Sequence, residues 1–140
     1  MKQEDKELLL KDLCGRLPYK IRCSYYDICL LAHCNGEICG IENKEYAIVD
    51  GKCIAIGFIK PFLFPLSSMT EEQKYELQKI IYVETEIICN QLKTNNYGIE
   101  AGKYHFNSTL QVDWLNKNHF DYRGLIPMGL AIDCTNLNIY

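Results

Sequence analysis

Hydrophobic residues fall at helical spacing near the start of the chain, where Leu9, Leu10 and Leu13 share one face of a segment from Asp5 to Cys14. Gly15 stands where a cap would sit and Pro18 where no helix continues, so the pattern predicts a helix ending at Cys14. From Lys20 to Phe58 the period changes. The stretch is rich in Ile, Tyr, Val and Cys and carries two hairpin signals. One is Asn35-Gly36 between ICLLAHC and EICGIE; the other is Asp50-Gly51 between EYAIV and KCIAIGF. Both dipeptides tolerate the positive φ of a tight type I′ turn. A polar turn over 42–45 and a bend near Tyr26-Asp27 complete a prediction of four or five short antiparallel strands.

The segment IKPFLFPLSSM is too apolar for a free linker, yet Pro61 and Pro65 suit neither a helix nor a central strand. It reads as extended chain crossing the core. A long helix is predicted from Thr70 to about Lys93, its stripe running through Leu77, Ile80, Ile81, Ile87, Ile88 and Leu92 with Glu84 as the one polar member. Thr70 with Gln73, or Ser68 with Glu71, would form its capping box. A short helix follows from Ser108 to about Asn118, with Leu110, Trp114 and Leu115 turned inward. LIPMGLAIDC, broken by Pro127 and Gly129, fits irregular chain or a short edge strand. The sum is one α+β domain over 1–140. An N-terminal helix leads, an antiparallel meander follows, and one long helix and one short C-terminal helix pack on the sheet.

Composition fits that reading: nearly half the residues are hydrophobic and about a quarter charged. The net charge is −3 with the two signs interspersed, which makes nucleic acid a poor partner. No window reaches membrane-spanning length and the start lacks a secretory pattern, so a cytoplasmic protein is expected. Eight cysteines invite a disulfide or zinc reading, and Cys23, Cys29, Cys34 and Cys39 lie close together beside His33. No C-x-x-C knuckle is present, and the plainer reading is buried free thiols. No cofactor is implied.

Chemistry concentrates in DWLNKNHFDYRGLIPMGLAID. Trp114, His119, Asp121, Tyr122 and Arg123 are the candidate binding residues, with Asp113 upstream. An arginine can hold an anion and aromatic rings can stack a base, which would suit a nucleotide-like ligand. His119 with Asp121 could also serve a small hydrolase. The plainer alternative is polar closure of the fold, with carboxylates satisfying turn backbone. His105, in a loop between two aromatics, and Glu84 are weaker candidates. Tyr25, Tyr26, Tyr97 and Tyr140 could supply an aromatic contact patch.

Three blocks, KELLLKDLCGRLPY, IKPFLFPLSSMTEEQ and DWLNKNHFDYRGLIPMGLAID, cover about a third of the chain. They resemble a family of short uncharacterised proteins of gut bacteria and of their phages and mobile elements. The resemblance implies a phage or prophage setting and carries over no catalytic residue. The function expected is therefore a small non-enzymatic binding or interaction protein. It would meet a protein partner, or itself, through the sheet face that the helices leave open.

Overall fold

A computed structural model describes residues 1–80 and 109–140 of the chain. The elements are α1 (Gln3–Arg16), β1 (Arg22–Asp27), β2 (Ala32–Glu42), β3 (Tyr46–Val49), β4 (Lys52–Ala55) and β5 (Ile59–Pro65). A helix over 71–80 (α2) follows, then α3 (Thr109–Lys117) and two short strands, β6 (Phe120–Asp121) and β7 (Ile132–Asp133). The architecture is α+β and mostly antiparallel. The expected end of the long helix, with Glu84, and the residues Cys89, Tyr97, His105 and Ser108 lie outside the described residues.

The first helix runs two residues past its predicted stop, through Gly15 to Arg16, and a 3-10 turn with Pro18 follows. The left-handed residue that ends it is Lys20, not Gly15. The continuation has a physical cause. Leu9, Asp12, Leu13 and Arg16 form one buried stripe, and burying Arg16 requires one more helical turn.

The Asn35-Gly36 hairpin is overturned. Both residues lie inside β2, paired with Ser24 and Cys23 of β1, and the chain reverses instead over 28–31. Gly36 is needed for space rather than for turning. A Cβ there would stand 2.4 Å from an oxygen of Asp50 and 2.7 Å from a methyl of Val49. Val49 is fully buried and cannot give way. Gly36→Ala is therefore expected to cost about 1–3 kcal/mol from overpacking, read from urea denaturation midpoints. A wild-type midpoint in that variant would mean the strands approach less closely than described. The Asp50-Gly51 turn stands, with φ of 48° and 80°, and the turn after Glu42 has the same left-handed pair in Asn43 and Lys44.

The strand order is β4-β3-β2-β1-β5-β6, with β7 also on β5. β2 is shared. Its first half pairs with β1 and its second with β3, and the register shifts between Ile38 and Gly40. Such a bulge lets one long strand bend from one sheet into another. Lys52 on β4 then reaches Asp27 at the end of β1, at 2.8 Å, so the strip curls back toward itself. Leu9 and Leu13 of α1 close its interior against Ile21, Cys23, Tyr25, Ile38, Ala47, Val49 and Ile59.

The proline-bearing segment is extended chain and forms a strand within the sheet, β5, although its prolines suit a central strand poorly. It is antiparallel to β1 only over Ile59–Pro61 and then pairs in parallel with β7 at Phe62 and Leu63 and with β6 at Phe64 and Pro65. Pro61 stands at the last β1 pairing, opposite Cys23. In the next register the Tyr140 hydroxyl replaces the direct ladder. It accepts from the Arg22 N–H at 3.2 Å and donates to the Phe62 carbonyl at 3.0 Å. A second cluster of Met69, Leu77, Leu115 and Phe120 joins α2 and α3, with Phe64 and Trp114 packed against it. Thr70 and Gln73 make both bonds of the capping box, while Ser68 turns back to the Pro65 carbonyl. Leu110, expected inward, is half exposed, because α3 instead turns Gln111, Leu115 and Asn116 to the interior.

Candidate functional site

The C-terminal block gathers around two residues of α1 that sequence reasoning did not single out as site members, Asp12 and Arg16. Both side chains are fully buried. Arg16 donates through Nε at 2.7 Å and Nη2 at 3.1 Å to the two oxygens of Asp12, and through Nη2 at 2.7 Å to the Phe120 carbonyl. Arg123 Nε stands 3.3 Å from the same carboxylate, an ion pair without hydrogen-bond alignment. Both guanidiniums lie over the Tyr122 ring, 5.4 Å and 4.7 Å from its centre. The signal was present in the sequence. An Asp and an Arg four apart on a leucine stripe are either wasted on a core or paired within it.

The candidate residues of this block have definite employment. Asp121 accepts the Leu125 N–H on one oxygen and the Ile126 N–H on the other, both at 2.8 Å, and so fixes the turn that follows. Trp114 stacks on Phe120 at 5.8 Å and belongs to the second core cluster, so one face is covered by protein. His119 ends α3 in the left-handed region at φ 58° and stacks on Tyr140 at 3.9 Å. Burial, helped by the Arg16 cation, pushes His119 down to about 4. It is thus neutral at pH 7 and a weak base, and its expected partner Asp121 is bonded to the Leu125 and Ile126 N–H groups rather than to it. Asp113 bonds Tyr19 instead.

Among the described residues, every buried side-chain polar atom without a hydrogen-bond partner falls in this block or on Arg16, which it covers. They are Arg16 Nη1, Asn116 Oδ1, His119 Nδ1, Tyr122 Oη and Arg123 Nε. The block is a tight polar closure with imperfect pairing.

The cysteines divide. Cys23 and Cys134 are buried, and burial pushes their thiols up to about 12 and about 11. Cys14, Cys29, Cys39 and Cys53 are exposed and Cys34 is half-buried, which corrects the expectation of buried thiols. Strand register decides this, since Cys39 and Cys53 fall on outward positions. No three metal-ligating side chains come together among the described residues.

A different place presents itself at the curled end of the sheet. The turn over 28–31 is built from Ile28, Cys29, Leu30 and Leu31, with Asp27 accepting the N–H groups of Cys29 and Leu30. Ile28, Leu30 and Leu31 are 65%, 62% and 75% exposed. Beside the turn lies a groove of about 630 Å³, walled by 26–29 on one side and by 52–55 on the other, with Tyr46 and Phe58 completing its lining. The Asp27–Lys52 ion pair bridges the walls, and Lys52 holds the Asp27 carboxyl below its ordinary range. A smaller hollow of about 330 Å³ shares Tyr26 and Phe58. The open sheet face nearby is mixed, with Ser24, Lys60 and the edge-on Tyr26–His33 pair. Of the tyrosines named for a contact patch, Tyr26 lines the groove, Tyr25 is buried, and Tyr140 is spent on the sheet. The signal missed in the sequence was the turn itself. Four apolar residues stand where turn chemistry calls for Gly, Asn or Asp.

No protein-family model, no curated protein and no solved structure matches this chain. No helix among the described residues is long and apolar enough to cross a membrane.

Proposed function

We propose that this protein is a small non-enzymatic binding protein that meets a protein partner at the groove end of its sheet. The observation that carries the reading is the exposure of Ile28, Leu30 and Leu31 in one turn, beside a groove lined by Tyr46 and Phe58. Single exposed leucines are ordinary, but a contiguous apolar projection next to an apolar groove is the surface of an interface. The employment of His119 and Asp121 leaves no proton-transfer pair in the C-terminal block, which also favours binding over hydrolysis. The three-block resemblance adds a phage or prophage setting to the proposal.

The double variant Leu30→Asp/Leu31→Asp tests it. Leu31 has a φ of 49°, which Asp tolerates better than Leu, and neither side chain supports the core. The fold should keep its stability within about 0.5 kcal/mol. The purified protein is offered to lysate of its host and cross-linked. Species joined to the wild type should be missing from the variant, and equal capture by both would sink the reading.

A further inference from the structure

We infer that the groove takes a single extended, apolar peptide segment of a partner protein, added as a new strand along the free edge of β4. This rests on the binding reading above and gives the partner its chemistry.

The first argument is the edge. β4 is the outermost strand and pairs only with β3 among the described residues. Its bonded positions follow from the ladder. The two-residue turn at Asp50-Gly51 closes with the bonded pair Val49/Lys52, and the Ile56 N–H donates to the Glu45 carbonyl at 3.0 Å. Bonded and unbonded pairs alternate between those two ends. Lys52 and Ile54 therefore turn their backbone groups to β3, and Cys53 and Ala55 turn theirs away from it.

The second argument places that edge in the groove. Successive strand side chains point to opposite faces. A hollow touching all four residues 52–55 must therefore run along the strand's edge rather than over one face. Among the described residues the opposite wall also carries no ladder on that side, since β5 pairs with β1 only through Cys23, Ser24 and Tyr25, short of Tyr26 and Asp27.

The third argument selects the occupant. The Asp27–Lys52 ion pair limits the wall separation to the reach of two side chains. Strands sit about 4.8 Å apart, so two added strands would exceed that limit and one is the most the span admits. A second copy of this chain would bring β4 with β3 attached and would collide with the 26–29 wall. The two charges of the groove neutralise each other, so the side chains facing it are apolar ones that pack on Tyr26, Ile28, Ile54 and Phe58. Backbone pairing would supply affinity and alternate side chains specificity.

The fold offers a clean test. Ala55 has φ −62° and ψ 134°, the backbone of a proline, and its N–H is not used by β3. Ala55→Pro should therefore fold and melt as the wild type while losing the donor that an added strand requires. The probe is the consensus peptide selected on the full chain from a random heptapeptide display library. It is synthesised plain and with N-methyl groups on alternate amides in either phase. Ala55→Pro is expected to weaken it roughly tenfold or more, as one lost backbone hydrogen bond would. One N-methyl phase should abolish binding and the other should spare it.

Equal binding to Ala55→Pro, or indifference to both N-methyl phases, would overturn strand addition. If such binding still falls in Leu30→Asp/Leu31→Asp, the groove reading survives without it. A dimer in sedimentation that Ala55→Pro dissolves would overturn the peptide in favour of a second copy. Failure to select any peptide, together with equal lysate capture by the double variant, would overturn both readings. Should Ala55→Pro fail to fold, the two N-methyl phases decide alone.

Discussion

Replacing Asp12 with alanine should cost the fold about 3–5 kcal/mol. Among the described residues Asp12 is the one carboxylate paired with the fully buried Arg16, and its loss leaves a cation in the core with only the Phe120 carbonyl and the Tyr122 ring beside it. Arg123, two-tenths exposed, can relax toward water, but Arg16 cannot. The effect should reach well beyond α1, because Arg16 ties that helix to Phe120 across the sequence. Removing both charges together, as Asp12→Leu/Arg16→Met, should restore much of the loss, since two charges taken out of water return little net energy. Urea denaturation of the three variants measures this. A loss under about 1 kcal/mol in Asp12→Ala would show that water reaches Arg16.

Acidification should destabilise the protein through His119 before its carboxylates titrate. The histidine has an ordinary value of 6.5 and sits near 4 in the fold, because burial opposes its charged form. As pH falls, the unfolded chain takes up the proton first. The stabilisation is therefore whole above about pH 6.5, declines through the window below it, and is gone by about pH 4. Its full extent is about 3 kcal/mol. His119→Asn keeps the left-handed backbone, which Asn tolerates, and removes the titration. The difference between wild type and variant in urea midpoints at pH 7.5, 6, 5 and 4 isolates the contribution. Parallel curves would mean His119 is hydrated in the fold. Water would then reach it past half-exposed Tyr140, whose ring stacks on His119.

Local rules carried the reading wherever short-range chemistry decides the chain. The leucine stripe of α1, the Asp50-Gly51 and Asn43-Lys44 turns and the Thr70/Gln73 capping box all follow from side chains a few residues apart. The α+β class followed from them.

What only the tertiary structure decided came from residues far apart in the chain. Asn35-Gly36 has the composition of a turn, but β1 lies alongside it, and Gly36 serves the close approach of Val49 and Asp50. Pro61 suits a central strand poorly, but the β1–β5 ladder ends at its register and the Tyr140 hydroxyl takes over in the next. Asp12 and Arg16 become a buried hub only because the chain returns more than a hundred residues later to place Phe120, Tyr122 and Arg123 on them. The groove exists because β2 bends at its bulge and carries β4 round to Asp27. Turns and caps are settled by neighbours in sequence. Registers, buried charges and seams are settled by which distant surfaces meet, and one chain's pattern does not specify those meetings.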